Sequence, residues 1–384
     1  MAPADPTPAD PTPARRSLAA WLEARFNLTE MLAFLASFGV FPAELDTTRP
    51  FREALHDAWR RPLPSYARWP RVLGLLSFLL FLFLVTTGAL LAFYYQPTES
   101  EAYRAGTAIV RDVTFGWFIH QMHRWSARLL LVILAVRLWR FFFQGTYKAP
   151  REAVWMAAVV TFLAATQADL TGRLLTWTTT GYWTTVRALE VIHALPVVGP
   201  TLMFLAGGTT PDSLFLTRFY VLHIAMLPGA LLLLFYLHFN GVRRVGLSHA
   251  ETEGRARGET ARVQMINMII LAALVFGGLV TLVTLAPTPF EPAADPALTP
   301  QGMRPPWYLL APHAIIEMTP SMLPRWAGGL VVETILLLIL VLPFLDTSAG
   351  RSLRDRRIAV AAGIVVLAFW LVLTWHGYAL EVRR

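Results

Sequence analysis

Seven stretches of this chain are long and apolar enough to cross a bilayer as helices, at about 72–95, 116–143, 153–175, 218–240, 263–286, 326–345 and 358–375. In hydrocarbon each backbone N–H and C=O must find its partner within the protein, so such stretches have little choice but helix. The expected fold is therefore an all-α membrane protein with seven transmembrane helices. Composition agrees: 55% of the 384 residues are hydrophobic and only 15% are charged, and the mean hydropathy is +0.49, against roughly 25% charged in a soluble domain. No secretory signal is expected, because the first apolar run starts well inside the chain and lacks a small-residue cleavage pattern.

The net charge of +8 sits mostly in particular loops. Residues 60–71 (RRPLPSYARWPR), 137–152 (RLWRFFFQGTYKAPRE), 241–262 and 346–357 (DTSAGRSLRDRR) carry it, and alternate loops fall on one side of the membrane. The positive-inside rule then predicts a cytoplasmic N-terminus and an outer C-terminus. Topology accounts for the basic balance with no need of nucleic acid. Residues 1–16 (through PADPTPADPTPARR) read as a disordered Pro/Ala-rich tail. Residues 17–71 read as an amphipathic cytoplasmic-side segment, with a surface helix at 17–42 that lies on the membrane or packs against a partner subunit.

Histidine is rare and costly at membrane depth, where an ionisable group is by default a functional candidate. His123 stands near the start of the second predicted helix and His223 near the start of the fourth, both at the outer end. Two imidazoles at matched depth on facing helices can grip a haem iron from both sides. His238 lies 15 residues beyond His223, roughly 22 Å deeper at ~1.5 Å per residue. Its partner is expected about 14 residues after His123, and that position holds Arg137. A guanidinium does not deprotonate at ordinary pH and cannot ligate as an imidazole does. Gly74 and Gly88 on the first helix repeat the same spacing of 14, and Gly172 on the third helix has Ala158 at that spacing before it. Glycine lets a flat ring come close to the backbone, although small residues also serve ordinary helix packing in membranes. The chain has no cysteine. That excludes disulfides, iron–sulfur ligation by this chain, thioether haem attachment and a thiol nucleophile.

Several motifs, in order, carry a resemblance: FYYQPTESEAY, GWFIHQMHRWSARLLLVILAVRLWR, GTYKAPRE, LTWTTTGYW, LTRFYVLHIAMLPGALLLLFYLHF and RPPWYLLAPHAIIEMTP. Over roughly residues 70–345 the chain resembles cytochrome b of the bc-type quinol–cytochrome c or plastocyanin oxidoreductases. The resemblance implies a four-helix haem-binding domain over 72–240, a cytoplasmic linker over 241–262, and a three-helix domain over 263–384 that carries a quinol-site-like loop. It implies heme b, quinol and quinone as ligands. It also implies a Rieske-type iron–sulfur protein and a c-type cytochrome as partners, in a multi-subunit and often dimeric complex of an energy-transducing membrane.

Carried over by position, His123 and His223 match the outer haem ligands and His238 one inner ligand, with Gly74, Gly88 and Gly172 as packing glycines. Arg124 and Arg218 become the cations for the haem propionates. His120 stands where the family often has an arginine near those groups. The quinol motif departs, since Pro305-Pro306-Trp307-Tyr308 stands where the family has Pro-Glu-Trp-Tyr, and proline brings neither a carboxylate nor an N–H. Thr176-Trp177-Thr178 replaces the family's Pro-Trp turn. Tyr308 is kept, and Glu317, close by in sequence, is a candidate substitute proton acceptor, the other reading being an ordinary loop or helix-end charge. Asp169 is an unexpected charge at membrane depth, read as meeting Arg137 or Arg173 or as facing a partner or a cavity. Two readings of the inner site stay open: a haem held by His238 alone, or none. A competing function is a non-redox or single-haem scaffold subunit of a membrane electron-transfer assembly.

Overall fold

The computed structural model describes Arg25 and residues 72–208, 211–245, 261–320, 322–348, 350, 351 and 353–380. The tail at 1–16, the segment at 17–71 apart from Arg25, most of the 241–262 linker, His56 and His249 lie outside the described residues. The described residues are helical, and Thr178 pairs with Ala293 in an isolated antiparallel bridge.

The order is α1 (Val72–Ala92), α2 (Glu99–Arg111), α3 (Gly116–Phe143), α4 (Glu152–Leu175), α5 (Thr179–His193) and α6 (Val198–Ala206). Then α7 (Ser213–Val221), a π-helical turn (Leu222–Met226) and α8 (Leu227–Val245) run on as one rod. α9 (Ala261–Leu285), a 3-10 turn (Trp307–Leu309), α10 (Leu310–Glu317), α11 (Trp326–Leu345) and α12 (Arg357–Ala379) complete the chain. Among the described residues five helices are long and apolar enough to cross a membrane: α1, α4, the α7–α8 rod, α11 and α12. α3 has 28 residues, long enough to span, but its four arginines keep it out of that set.

α1 packs along α3, and α4 packs along the α7–α8 rod, which makes the four-helix bundle. α9 leans on α3 and α1, while α11 packs on α4 and α10 on both α11 and α12. Two helices lie where loops were expected. α2 buries Ala102, Gly106 and Ile109, a stripe at i, i+4 and i+7. α10 buries Leu310, Ala311, Ala314 and Ile316. The rod also starts earlier than position 218, because the Asp212 side chain caps it by accepting from the Phe215 N–H at 2.7 Å.

The 144–151 and 346–356 loops are stapled together at one end of the molecule. Lys148 pairs with Asp346 at 2.8 Å, Tyr147 donates to the same carboxylate, and Arg356 donates to Tyr147 Oη at 2.7 Å. Desolvation pushes the Asp346 carboxyl upward, but hydrogen bonds from Lys148, Tyr147 and Ser348 outweigh it and hold the group well below the usual carboxylate range. A depressed carboxylate contributes stability that is complete above its unfolded value of about 3.9 and is lost as the pH falls toward its folded value. Breaking a buried pair costs about 3–5 kcal/mol, and Asp346→Ala should fall at the low end because the carboxylate is partly exposed. Thermal unfolding at pH 7 and at pH 3.5 checks this: the gap between wild type and variant should shrink at the lower pH.

Candidate haem site

α3 and the α7–α8 rod bring His123 and His223 together, with ring centres 6.0 Å apart and planes at 70°. His223 sits inside the π turn. Pro228 explains that turn: it has no N–H to give, and its ring would strike the Ile224 carbonyl in a regular helix. The backbone widens instead, and the Leu227 N–H bonds back to the Leu222 carbonyl. π turns inside α-helices recur at functional sites.

The hydrogen bonds fix both tautomers. The Thr87 hydroxyl donates to the Phe83 carbonyl at 2.6 Å, so its oxygen accepts from His123 Nδ1 at 2.9 Å. His223 Nδ1 lies 3.0 Å from the Ala168 carbonyl, which only accepts. Both Nδ1 atoms therefore carry the proton, and both Nε2 atoms keep their lone pairs. A metal ligated by histidine is usually held this way, with the second nitrogen anchored to a carbonyl or hydroxyl. Metal–imidazole bonds of about 2.0–2.1 Å on either side of one ion place the ring centres roughly 6 Å apart, as they are here.

Both rings line a cavity of about 560 Å³, within the usual range for cofactor sites. A Cβ on Gly172 would lie 2.5 Å from His223 Cε1, and one on Gly88 would lie 3.1 Å from His123 Cε1. These glycines are spaces that imidazoles fill. Arg124, Arg128, His120 and Asp169 also line the cavity. Among the described residues no carboxylate lies within ion-pair distance of Arg124 or Arg128, so two cations wait at its wall. Among the described residues no group of three or more His, Cys, Asp or Glu side chains could hold a bare metal ion. Two imidazoles suit an iron that brings four ring nitrogens of its own. The residues present fit a haem.

Arg218 does not join them; it packs against Gly207 instead of lining the cavity. At the deeper level His238 Nδ1 lies 3.2 Å from the Val154 carbonyl, and Arg137 Nη2 lies 2.8 Å from His238 Nε2. A Cβ on Gly74 would lie 3.6 Å from Arg137 Nη2 and from the Phe239 ring, and Ala158 is buried.

In the loop after α9, Tyr308 is buried, with its hydroxyl 2.9 Å from Asp169 Oδ2 and 3.1 Å from the Thr166 carbonyl. Arg173 Nε donates to the same Asp169 oxygen at 2.6 Å, so Arg173, and not Arg137, is the partner of this carboxylate. Glu317 is instead ion-paired with Arg325 and is not among the cavity residues. The segment before Tyr308 is pinned at the cavity mouth. Trp177 adopts the left-handed region (φ 46°), which is unusual for a bulky residue, and its carbonyl accepts from the Ala294 N–H at 3.0 Å. The Thr180 N–H donates to Glu291 at 3.1 Å, and Glu291 also lines the cavity.

Residues 61–246 match the family model described as cytochrome b/b6/petB, and residues 293–383 match the one described as cytochrome b(C-terminal)/b6/petD. The chain belongs to the cytochrome b/b6 family. This cytochrome b is 29% identical to the "Cytochrome bc complex cytochrome b subunit" of Chlorobaculum thiosulfatiphilum, over 88% of this chain and 85% of that one. It is 38% identical to "Cytochrome b6" of Oltmannsiellopsis viridis, over 50% of this chain and 90% of the relative. In fold it matches a chain of "Hyperthermophilic respiratory Complex III" with a TM-score of 0.70 at 23% identity, covering 94% of this cytochrome b and 91% of that chain. Family membership makes it an integral membrane protein that binds b-type haem.

Proposed function

We propose that this chain is the cytochrome b subunit of a bc-type electron-transfer complex, with its haem held between His123 and His223 near the outer face. It would cross the membrane seven times with its N-terminus in the cytoplasm, and its partners would be a Rieske-type iron–sulfur protein and a c-type cytochrome. The observation that carries this reading is the pair of Nε2 lone pairs on rings 6.0 Å apart. When bound, the haem supplies a one-electron carrier. The chain supplies the rest: Thr87 and the Ala168 carbonyl orient the ligands, Arg124 and Arg128 meet the propionates, and apolar walls such as Leu130, Leu131 and Leu231 exclude water.

Quinol would approach from the loop that carries Tyr308. That hydroxyl and Asp169, which lines the cavity, would form a proton-bearing contact there, in place of the glutamate that Pro306 lacks. Tyr308→Phe should lower quinol oxidation by about a hundredfold, at the weak end of general acid–base effects, and leave the haem spectrum unchanged. Glu317→Gln, away from the cavity, should leave the rate as it was. Steady-state reduction of a c-type cytochrome by a soluble quinol checks both. The reading as a whole is tested by the reduced-minus-oxidised spectrum and haem content of the purified chain. A low-spin b-type band supports it, and a haem content near zero returns the chain to the scaffold class.

A further inference from the structure

The inner half of the bundle repeats the outer half with one exchange. Shifting by 14 residues takes Gly88 to Gly74, Ala168 to Val154 and His123 to Arg137; shifting by 15 takes His223 to His238. His238 even keeps the anchor, since its Nδ1–H donates to the Val154 carbonyl at 3.2 Å as His223 does to Ala168. That leaves the Nε2 lone pair of His238 as the ligating group, and Arg137 Nη2 donates to it at 2.8 Å. The guanidinium also donates from Nη1 to Ser77 Oγ at 2.9 Å, and the Ser77 hydroxyl donates to the Gly74 carbonyl at 2.8 Å.

We propose that Arg137 stands in place of a second haem: it occupies the His238 lone pair, confines the chain to one haem, and leaves the inner half of the bundle without an electron carrier. Several observations converge. A hydrogen bond of 2.8 Å leaves no room for a macrocycle between the two groups. Phe141 lies parallel to the His238 ring at 5.7 Å, and the Arg137 guanidinium sits over Phe141. Phe78, Phe81, Phe235 and Phe239 pack ring against ring in the adjoining space, at centroid distances of 5.3–6.4 Å. Ala158 adds a methyl where the outer level has Gly172.

Closure of the inner level is not a collapse that follows from lack of a ligand, because the outer level keeps its cavity in the same structure. Nor is Arg137 free to swing aside. Among the described residues no carboxylate pairs with it, so leaving His238 and Ser77 would strand a cation in hydrocarbon.

The inference rests on the outer-site reading for its reference count, and the test separates the two. Haem per polypeptide is measured by pyridine haemochrome on the full-length chain, with a redox titration of the b band. The expected result is one haem with one midpoint potential, unchanged in His238→Ala. Two haems in the wild type, or loss of a haem in His238→Ala, would overturn the inference while leaving the outer site standing. Zero haem in the wild type would instead remove the outer-site reading. Arg137→His should then raise the count by one in a chain that still elutes as a folded species. A folded Arg137→His chain with no added haem would overturn Arg137 as the closing group. If that variant does not fold, the wild-type count and His238→Ala still decide.

Discussion

His223→Ala will strip the low-spin b signal from the purified chain and take its haem content from one per polypeptide to near zero. The ring would be one of the two proposed donors to the iron, and the structure offers no substitute: Thr171 and Asp169, its polar neighbours, are committed to backbone carbonyls and to Arg173 and Tyr308. His123→Ala should do the same. The helices should persist, because the apolar contacts of α4 with the α7–α8 rod extend far beyond this turn. Far-ultraviolet circular dichroism separates loss of cofactor from loss of fold. A variant that keeps its low-spin band would remove His223 from the site.

Gly172→Val is expected to produce nearly as large a loss without touching a ligand. Even a Cβ at this position lands 2.5 Å from His223 Cε1 and 3.1 Å from both ring nitrogens, and valine adds two methyls on a stiff χ1. The ring has to turn, which breaks its 3.0 Å bond to Ala168 and moves Nε2 off the axis toward His123. Gly88→Ala is the graded comparison. Its Cβ meets His123 Cε1 at 3.1 Å, so the ring need yield only a few tenths of an ångström, and most haem should be retained. Equal haem content in Gly172→Val and wild type would show that the glycine serves helix packing alone.

Depth along a helix was legible in the sequence, whereas direction around it was not. His123, His223, His238 and Arg137 stood out because polar groups at membrane depth are rare, and their spacing alone placed them at two levels. Arg218 has the right height but lies five residues from His223, about 140° around a helix at ~100° per residue, and so points elsewhere. Arg128 was missed although it is one turn from Arg124 and shares its face. Thr87 gave no signal because a helical threonine ordinarily bonds back to its own carbonyls. Thr87 does this and still has an acceptor left for His123. Glu317 drew attention by nearness in sequence to the Trp-Tyr motif, but Arg325, eight residues further, holds it. The π turn was foreshadowed by Pro228 within an apolar run, a cue that shows a helix must deviate without showing how.

The aromatic filling of the inner half has an energetic corollary for the whole complex. Moving one electron across the full membrane potential exchanges about 2.3 kcal/mol per 100 mV. A bundle whose only carrier sits close to one face moves its charge through a small fraction of that field. Turnover would then depend only weakly on the membrane potential at a fixed pH on each side. Such a subunit would pass reducing power sideways between partners on one surface and store none of it as voltage.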